Sequence, residues 1–275
     1  MLHRLFVVLV AICVGMAISS GSAAPGAGRW QSIADMTIAR SQHTATLLTN
    51  GDVLVVGGRD VTTPVSELYD TSTNSWSPAD DTLPGRFSHS SVLLPTGNVL
   101  VTGGWKSDGS AILSDNWLYD APSDSWTPRL AMTSPRASHS ATLLADGRIL
   151  VVGGGTPNEQ PTATAEIYDL ATNAWSTASS LAFRRTGHTA TLLPNGRVLV
   201  AGGFNSTQGA VCNNPVYDPS SNVWAHNDGC TTIGRFEHTA TSLPNGDVLT
   251  AGGADSQATS IATVLVYRSS RQVSW

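Results

Sequence analysis

Charged residues are scarce in this 275-residue chain, at 13%, and basic residues are fewer than acidic ones, 15 against 20. The formal net charge is −5, and removal of the first two dozen residues with Arg4 takes it to −6 (14 basic against 20 acidic). A balance of that sign argues against nucleic acid as a partner. No long amphipathic helical pattern is present, and neither a serine-nucleophile elbow nor a phosphate-cradling loop occurs. Long apolar runs are absent after the N-terminus, so no membrane span is expected in the mature chain. Cysteine is rare, with three residues, whereas glycine is plentiful, with 26. Plentiful glycine and little charge suit short buried strands joined by tight turns.

The one apolar run, Leu5 to Ile18, follows His3 and Arg4 and precedes a small-residue stretch from Ser19 to Ala24. That order is the pattern of a cleaved signal, so residues 1–24 read as a signal peptide, 25–29 as a flexible lead-in, and the chain as secreted or extracellular. Cys13 leaves with the signal. Cys212 and Cys230 remain as an even pair that suits an oxidising compartment. They flank an expected hairpin centred near residue 221, and a disulfide between them closes a loop worth roughly 3 kcal/mol in the chain-entropy model.

The rest of the chain, 30–275, is organised by one unit that occurs five times, over 40–76, 86–126, 136–175, 185–224 and 235–275. Each unit has an Arg (Arg40, Arg86, Arg136, Arg185, Arg235) three residues before a His (His43, His89, His139, His188, His238). Fourteen residues after each His comes a glycine pair: Gly57-Gly58, Gly103-Gly104, Gly153-Gly154, Gly202-Gly203 and Gly252-Gly253. Between His and the pair lie two apolar strands joined by Asn-Gly, Asp-Gly or Thr-Gly, which predicts a type I′ hairpin. A loop then leads to a third strand ending at Tyr69, Tyr119, Tyr168, Tyr217 or Tyr267, and an outer strand follows with Trp76, Trp126, Trp175, Trp224 or Trp275. Four short antiparallel strands cannot cover both faces of their own sheet, so neighbouring units must stack, and radial stacking gives a β-propeller.

The paired glycines, the Tyr-Asp at the end of the third strand and the Trp seven residues on resemble the kelch repeat family, over Trp30 to Trp275. The form Arg-x-x-His-Thr-Ala-Thr-Leu-Leu-x-Asn-Gly is similar to secreted kelch-like proteins and to the propeller of galactose oxidase. The resemblance implies an all-β, kelch-type propeller, here with five four-stranded blades where six or seven are usual. Trp30 and Trp275 both mark outer strands. Either the N-terminal strand completes the last blade and closes a five-bladed ring, or the chain is an open fragment of a six- or seven-bladed one.

Residues that recur in every unit are most simply explained as blade-to-blade contacts, and the ring Tyr and outer Trp as packing between blades. The five His are likewise read as structural, with no metal and no cofactor expected, because a metal needs a few ligands converging on one ion. Function is sought where copies differ, on the loops after the glycine pairs. Arg59, Trp105 and Phe204 follow three of those pairs, and Trp105 and Trp117 bracket one loop beside Lys106. They predict an aromatic platform for a sugar ring or a protein partner, or else mutual burial under that loop. Asn205 opens a glycosylation sequon. The expected function is a secreted, non-catalytic module binding a protein or glycan. The resemblance also implies a copper-radical oxidase as an alternative, against which all five Tyr are committed to the repeat, and a structural fragment without activity is a third reading.

Overall fold

A computed structural model of the chain describes residues 30–269, except 60, 62, 64, 159 and 226–232. The expected signal peptide and lead-in, Cys230 and Trp275 lie outside the described residues. The chain divides into two units, Met1–Ile33 and Ala34–Trp275. Of the first, residues 30–33 are described and form no strand, so Trp30 is not in the outer strand that the repeat pattern predicts.

In the second unit each repeat folds into one antiparallel sheet whose strands follow chain order. Blade one comprises Thr44–Leu47, Val53–Val56, Ser66–Asp70 and Ser75–Pro78. Blade two comprises Ser90–Leu93, Val99–Thr102, Asn116–Asp120 and Ser125–Arg129. Blade three comprises Ser140–Leu143, Ile149–Val152, Ala165–Asp169 and Ala174–Ala178. Blade four comprises Thr189–Leu192, Val198–Ala201, Val216–Asp218 and Val223–Ala225. In blade five, Thr239–Ser242, Val248–Ala251 and Val264–Tyr267 are described. The innermost strands of successive blades are neighbours, and the whole is a five-bladed, all-β propeller with no helix among the described residues.

The turn joining the first two strands differs from the type I′ expectation. Only the glycine has positive φ, for example +94° at Gly51, and Asn50 does not. Gly51 N–H donates to Leu48 O at 3.1 Å while Leu48 N–H donates to Asp52 O at 2.8 Å, which closes a three-residue loop. This is a type I turn followed by a left-handed glycine. The residue before the glycine is selected for its side-chain oxygen, which accepts the backbone N–H two residues on: Asn50 from Asp52, Asp146 from Arg148, Asn195 from Arg197. Thr96 satisfies the same requirement, which a type I′ turn would have penalised.

Apolar residues from facing sheets make the cores. One cluster lies between blades one and two (Leu54, Val56, Val99, Val101, Tyr119), and another between two and three (Leu100, Leu118, Ile149, Val151, Tyr168). A third joins three and four (Leu150, Val152, Ile167, Val198, Tyr217), and a fourth joins four and five (Leu199, Val216, Val248). Each fully buried aliphatic side chain there contributes roughly 1.5–3 kcal/mol.

The recurrent polar residues tie these layers together. Every Arg of the repeat donates to the carbonyl of the first glycine in its own blade, from Arg40 to Gly57 O at 2.7 Å through Arg235 to Gly252 O at 3.0 Å. From blade two onward, each Arg carbonyl accepts from the second glycine of the preceding blade, as in Gly154 N–H to Arg185 O at 2.9 Å. The glycine pair must be bare for this approach, since a Cβ on Gly153 would stand 2.6 Å from Arg185 O.

The outer tryptophans do not all pack alike. Tyr69 meets Trp76, Tyr119 meets Trp126, Tyr168 meets Trp175 and Tyr217 meets Trp224, with ring centroids 4.9–5.1 Å apart, so each Trp first covers the Tyr of its own blade. Trp126 and Trp224 are buried and join the cores between blades one and two and between three and four. Trp175 is only half-buried against the core between blades two and three, and Trp76 is half-buried and belongs to no inter-blade core. The expectation of packing between blades therefore fails at Trp76, because no described blade precedes blade one to receive its ring. Its indole N–H donates instead to Ala34 O at 2.9 Å, in the segment leading into blade one. The indole N–H of Trp126 reaches Ser66 Oγ of blade one at 3.3 Å, and those of Trp175 and Trp224 reach Leu130 O and Ser179 O in the links leading from the blades before.

Candidate functional site: the loop face of blades one to five

Four of the five repeat histidines reach back to a hydroxyl of the preceding blade. His89 meets Thr44 Oγ1, His139 meets Thr102 Oγ1, His188 meets Ser140 Oγ and His238 meets Thr189 Oγ1, all at 2.9–3.0 Å. Burial, with the nearby Arg as a lesser cause, holds these imidazoles neutral: His139 is lowered to about 3, His238 to about 4, and His89 and His188 well below the usual range. His43 begins the series and has no such partner among the described residues. The inner strands surround an axial opening of about 420 Å³ lined by Thr44, Ser90, Ser91, Ser140, Thr189 and Thr191 with His89 and His188. Among the described residues it offers hydroxyls and neutral imidazoles and no carboxylate. Among the described residues no group of three His, Cys, Asp or Glu side chains is placed to hold a metal ion. The tyrosine hydroxyls of blades one to four each donate to an Asn or Asp in the turn of their own blade.

The variable face is built by two positions of the repeat that pair across. The residue after the Arg and the residue after the glycine pair form short antiparallel bridges: Phe87 with Trp105, Ala137 with Gly155, Thr186 with Phe204, and Phe236 with Ala254. In blade one Arg59 N–H donates to Ser41 O at 2.8 Å. Side-chain size at these pairs shapes the surface. Trp105 stacks on Phe87 with ring centroids 6.3 Å apart and planes 12° from parallel. The Arg59 guanidinium lies over the same Phe87 ring at 5.5 Å, a contact worth about 0.5–1 kcal/mol at an exposed site. Phe204 meets Phe236 edge to face at 5.3 Å.

Blade three has small residues at both paired positions, and a slot of about 190 Å³ opens there. Trp105, Ile112, Ala137, Gly155, Pro161 and Phe204 line it, together with Ser138, Thr156, Thr186 and Ser206. A second cavity of about 400 Å³ shares Thr156 and Pro161 with it and adds Asn158, Gln160, Thr162, Ala163, Thr164 and Arg184. Ser206 Oγ donates to Gln160 Oε1 at 2.6 Å, linking the loops of blades three and four.

A model of the Attractin/LZTR1 β-propeller matches the chain over residues 26–214 and again over 68–271. Overlapping matches are what a chain of near-identical units gives when laid against a propeller in two registers. The chain belongs to the Attractin/LZTR1 β-propeller family. Its propeller is of the kelch type. The solved structure of YjhT is similar, with a TM-score of 0.69 at 15% identity over 86% of this chain and 84% of that one, a likeness of fold alone. No curated protein matches the chain.

Of the residues singled out in the sequence, this member of the family brings Arg59 and Trp105 into one stack and puts Phe204 across the slot from it. Trp117 is elsewhere. Its ring packs against the core between blades one and two, and its indole N–H donates to Asp115 Oδ2 at 2.8 Å. The expected platform of Trp105 with Trp117, and their mutual burial, both give way because Trp117 belongs to the third strand of blade two. Lys106 is exposed and 3.6 Å from Asp108. Asn205 is only 7% exposed and its Oδ1 accepts from Thr207 N–H, so a glycan on the folded chain would have to displace the short Phe204–Asn205 strand. Cys212 is half-buried ahead of the third strand of blade four. Phe87, which lies buried under Trp105 and Arg59, and Phe236 and Arg184 were not apparent as residues that shape this face. The available signal was that the position after each Arg (Ser41, Phe87, Ala137, Thr186, Phe236) is as variable as the position after each glycine pair.

Proposed function

We propose that this chain is a secreted, non-catalytic binding module that takes a protein or glycan partner on its loop face. The observation that carries this reading is the Arg59–Phe87–Trp105 stack beside an open slot. It puts the Arg59 guanidinium and the Trp105 ring over the buried Phe87, at positions where repeats differ, on a scaffold built from the positions where they agree. The signal-like residues 1–24 and the even cysteine pair support secretion, with Cys212 and Cys230 bonded in the mature protein. The commitment of four of the five Tyr hydroxyls, in blades one to four, to their own turns supports a non-catalytic role.

The test compares the mature protein with Trp105→Ala and Trp117→Ala on a glycan array and against a displayed-peptide library. Binding reduced at least tenfold in Trp105→Ala, with cooperative melting retained, is the expected result. Full binding by Trp105→Ala moves the contact surface off this face. Stoichiometric copper with alcohol-dependent peroxide release by the purified protein overturns the non-catalytic reading.

A further inference from the structure

We infer that the slot over blade three receives a single apolar side chain from a protein partner, and that the partner's segment carries a carboxylate beside that residue to meet Arg184. This rests on the reading of the loop face as a binding surface and chooses between its two partner classes.

The lining decides for an apolar anchor. Trp105 and Phe204 wall the slot, Ile112 and Pro161 add aliphatic surface, and Ala137 with Gly155 leave the space. Among the described residues, the polar side chains present are the hydroxyls of Ser138, Thr156, Thr186 and Ser206, and no carboxylate or carboxamide lines the slot. A sugar would bring several hydroxyls into a space that offers no side chain able to hold two of them at once, and desolvating them unpaired is costly. An aliphatic or aromatic side chain brings no such cost. A volume of about 190 Å³ has room for one side chain and not for a run of them. The walls are also held in advance, Trp105 by Phe87 and Phe204 by Phe236, so little ordering is needed on binding.

Charge selects the flank of that anchor. Arg184 is exposed and lines the adjoining cavity across Thr156 and Pro161. It has no ion-pair partner among the described residues, and no carboxylate among the described residues lines that cavity. Glu159, in the same loop, lies outside the described residues. On a chain with net charge −5, an exposed guanidinium with no ion-pair partner among the described residues, next to an apolar slot, is complementary to an acidic segment.

The slot can be filled without disturbing its walls. Gly155 has an ordinary φ, and among the described residues a Cβ there would meet nothing nearer than Ala137 O at 3.9 Å, so Gly155→Val occupies the space and suits the extended backbone. The experiment pans a random peptide library on phage against the full mature chain. The most enriched peptide is then titrated calorimetrically into the wild type, Gly155→Val and Arg184→Glu. Expected are enriched peptides that share an apolar residue adjacent to Asp or Glu, with at least tenfold weaker binding by Gly155→Val and severalfold weaker binding by Arg184→Glu. A peptide with its acid changed to Lys should recover affinity on Arg184→Glu, a gain that misfolding cannot produce. Enriched peptides without that pairing, or a dissociation constant unchanged in Gly155→Val, overturn the inference. So does Trp105-dependent binding to glycans with no enriched peptide, and in that case the binding-module reading stands without it.

Discussion

Blades three and five are built from the same repeat, yet among the described residues one is covered on both faces and the other on one. In blade three, Ala165 is 0% exposed and Ile167 5%, packed against blade four. The equivalent positions on the outward face of blade five include Val264 at 54% and Val266 at 38%. On the far side of blade one, Leu47 is 62% exposed. Four inter-blade cores join five blades among the described residues, and no cluster joins blade five to blade one. The polar ties stop at the same place. The first glycines of blades one to four face the Arg and His of the next blade, whereas among the described residues a Cβ on Gly252 would meet nothing nearer than Ile261 O at 3.8 Å. Burial of a blade is therefore a property of its neighbour rather than of its own sequence, as in any array whose units cannot cover themselves.

The glycine pair provides the sharpest way to break that comparison. Gly153 and Gly252 share a left-handed backbone, φ +62° and +65°, so an added Cβ costs each of them about 1–2 kcal/mol in backbone strain. Only at Gly153 does the Cβ also collide with backbone, 2.6 Å from Arg185 O. Gly153→Ala is expected to destabilise by roughly 3–5 kcal/mol, strain and overpacking together, against about 1–2 for Gly252→Ala. Chemical denaturation of both variants checks this. Equal losses would mean that blade five is covered in solution as blade three is.

A smaller contrast uses apolar truncation. Ile167→Ala removes a side chain from the core between blades three and four and is expected to cost about 3 kcal/mol. Val266→Ala truncates a more exposed residue at the matching position, with an expected change within about 0.5 kcal/mol. The same denaturation series measures both, and a large loss in Val266→Ala would show that this face is packed.

This uncovered face bears directly on what could be read from the sequence. The repeat register predicts strands, blade number and the paired glycines, because a fixed spacing of fourteen residues from His to glycine leaves no freedom inside the hairpin. The same register assigns Trp76 and Trp126 one role, yet Trp126 is buried against blade one while Trp76 is half-buried outside any inter-blade core. The turn type was legible only in part. Asn-Gly signals both a type I′ turn and a type I turn with a left-handed glycine, and only Thr96 hinted at the second. The candidate site was less legible still. Trp105 and Arg59 stood out as odd residues in a repeat, but their partner Phe87 lies eighteen residues before Trp105 and pairs with it only once blade two folds. The slot is a place where Ala137 and Gly155 leave space, and a pattern of large residues does not announce an absence. Trp117 failed as a platform residue because neighbouring positions on a strand point to opposite sides, and proximity in sequence says nothing of which side is solvent.

Proton uptake provides the gentlest discriminator between covered and uncovered junctions. His139 is held at about 3 by burial, with Arg136 as a second cause, against 6.5 in the unfolded chain. The folded protein therefore binds no proton there across a window in which the unfolded chain does. The contribution is complete above about pH 6.5 and is lost as pH falls towards about 3, with a slope of about 1.4 kcal/mol per pH unit for each such imidazole. His89, His188 and His238 act in the same direction, each lowered chiefly by burial, so the wild type should lose stability steeply from pH 6 to pH 4. His139→Gln should flatten that profile by about 1.4 kcal/mol per unit. His43 is lowered by the same cause but is only half-buried and meets no hydroxyl of a preceding blade among the described residues, so His43→Gln should flatten the profile less. Urea denaturation of both variants at pH 4, 5, 6 and 7 gives the slopes. Equal flattening would place His43 in a junction as closed as the other four.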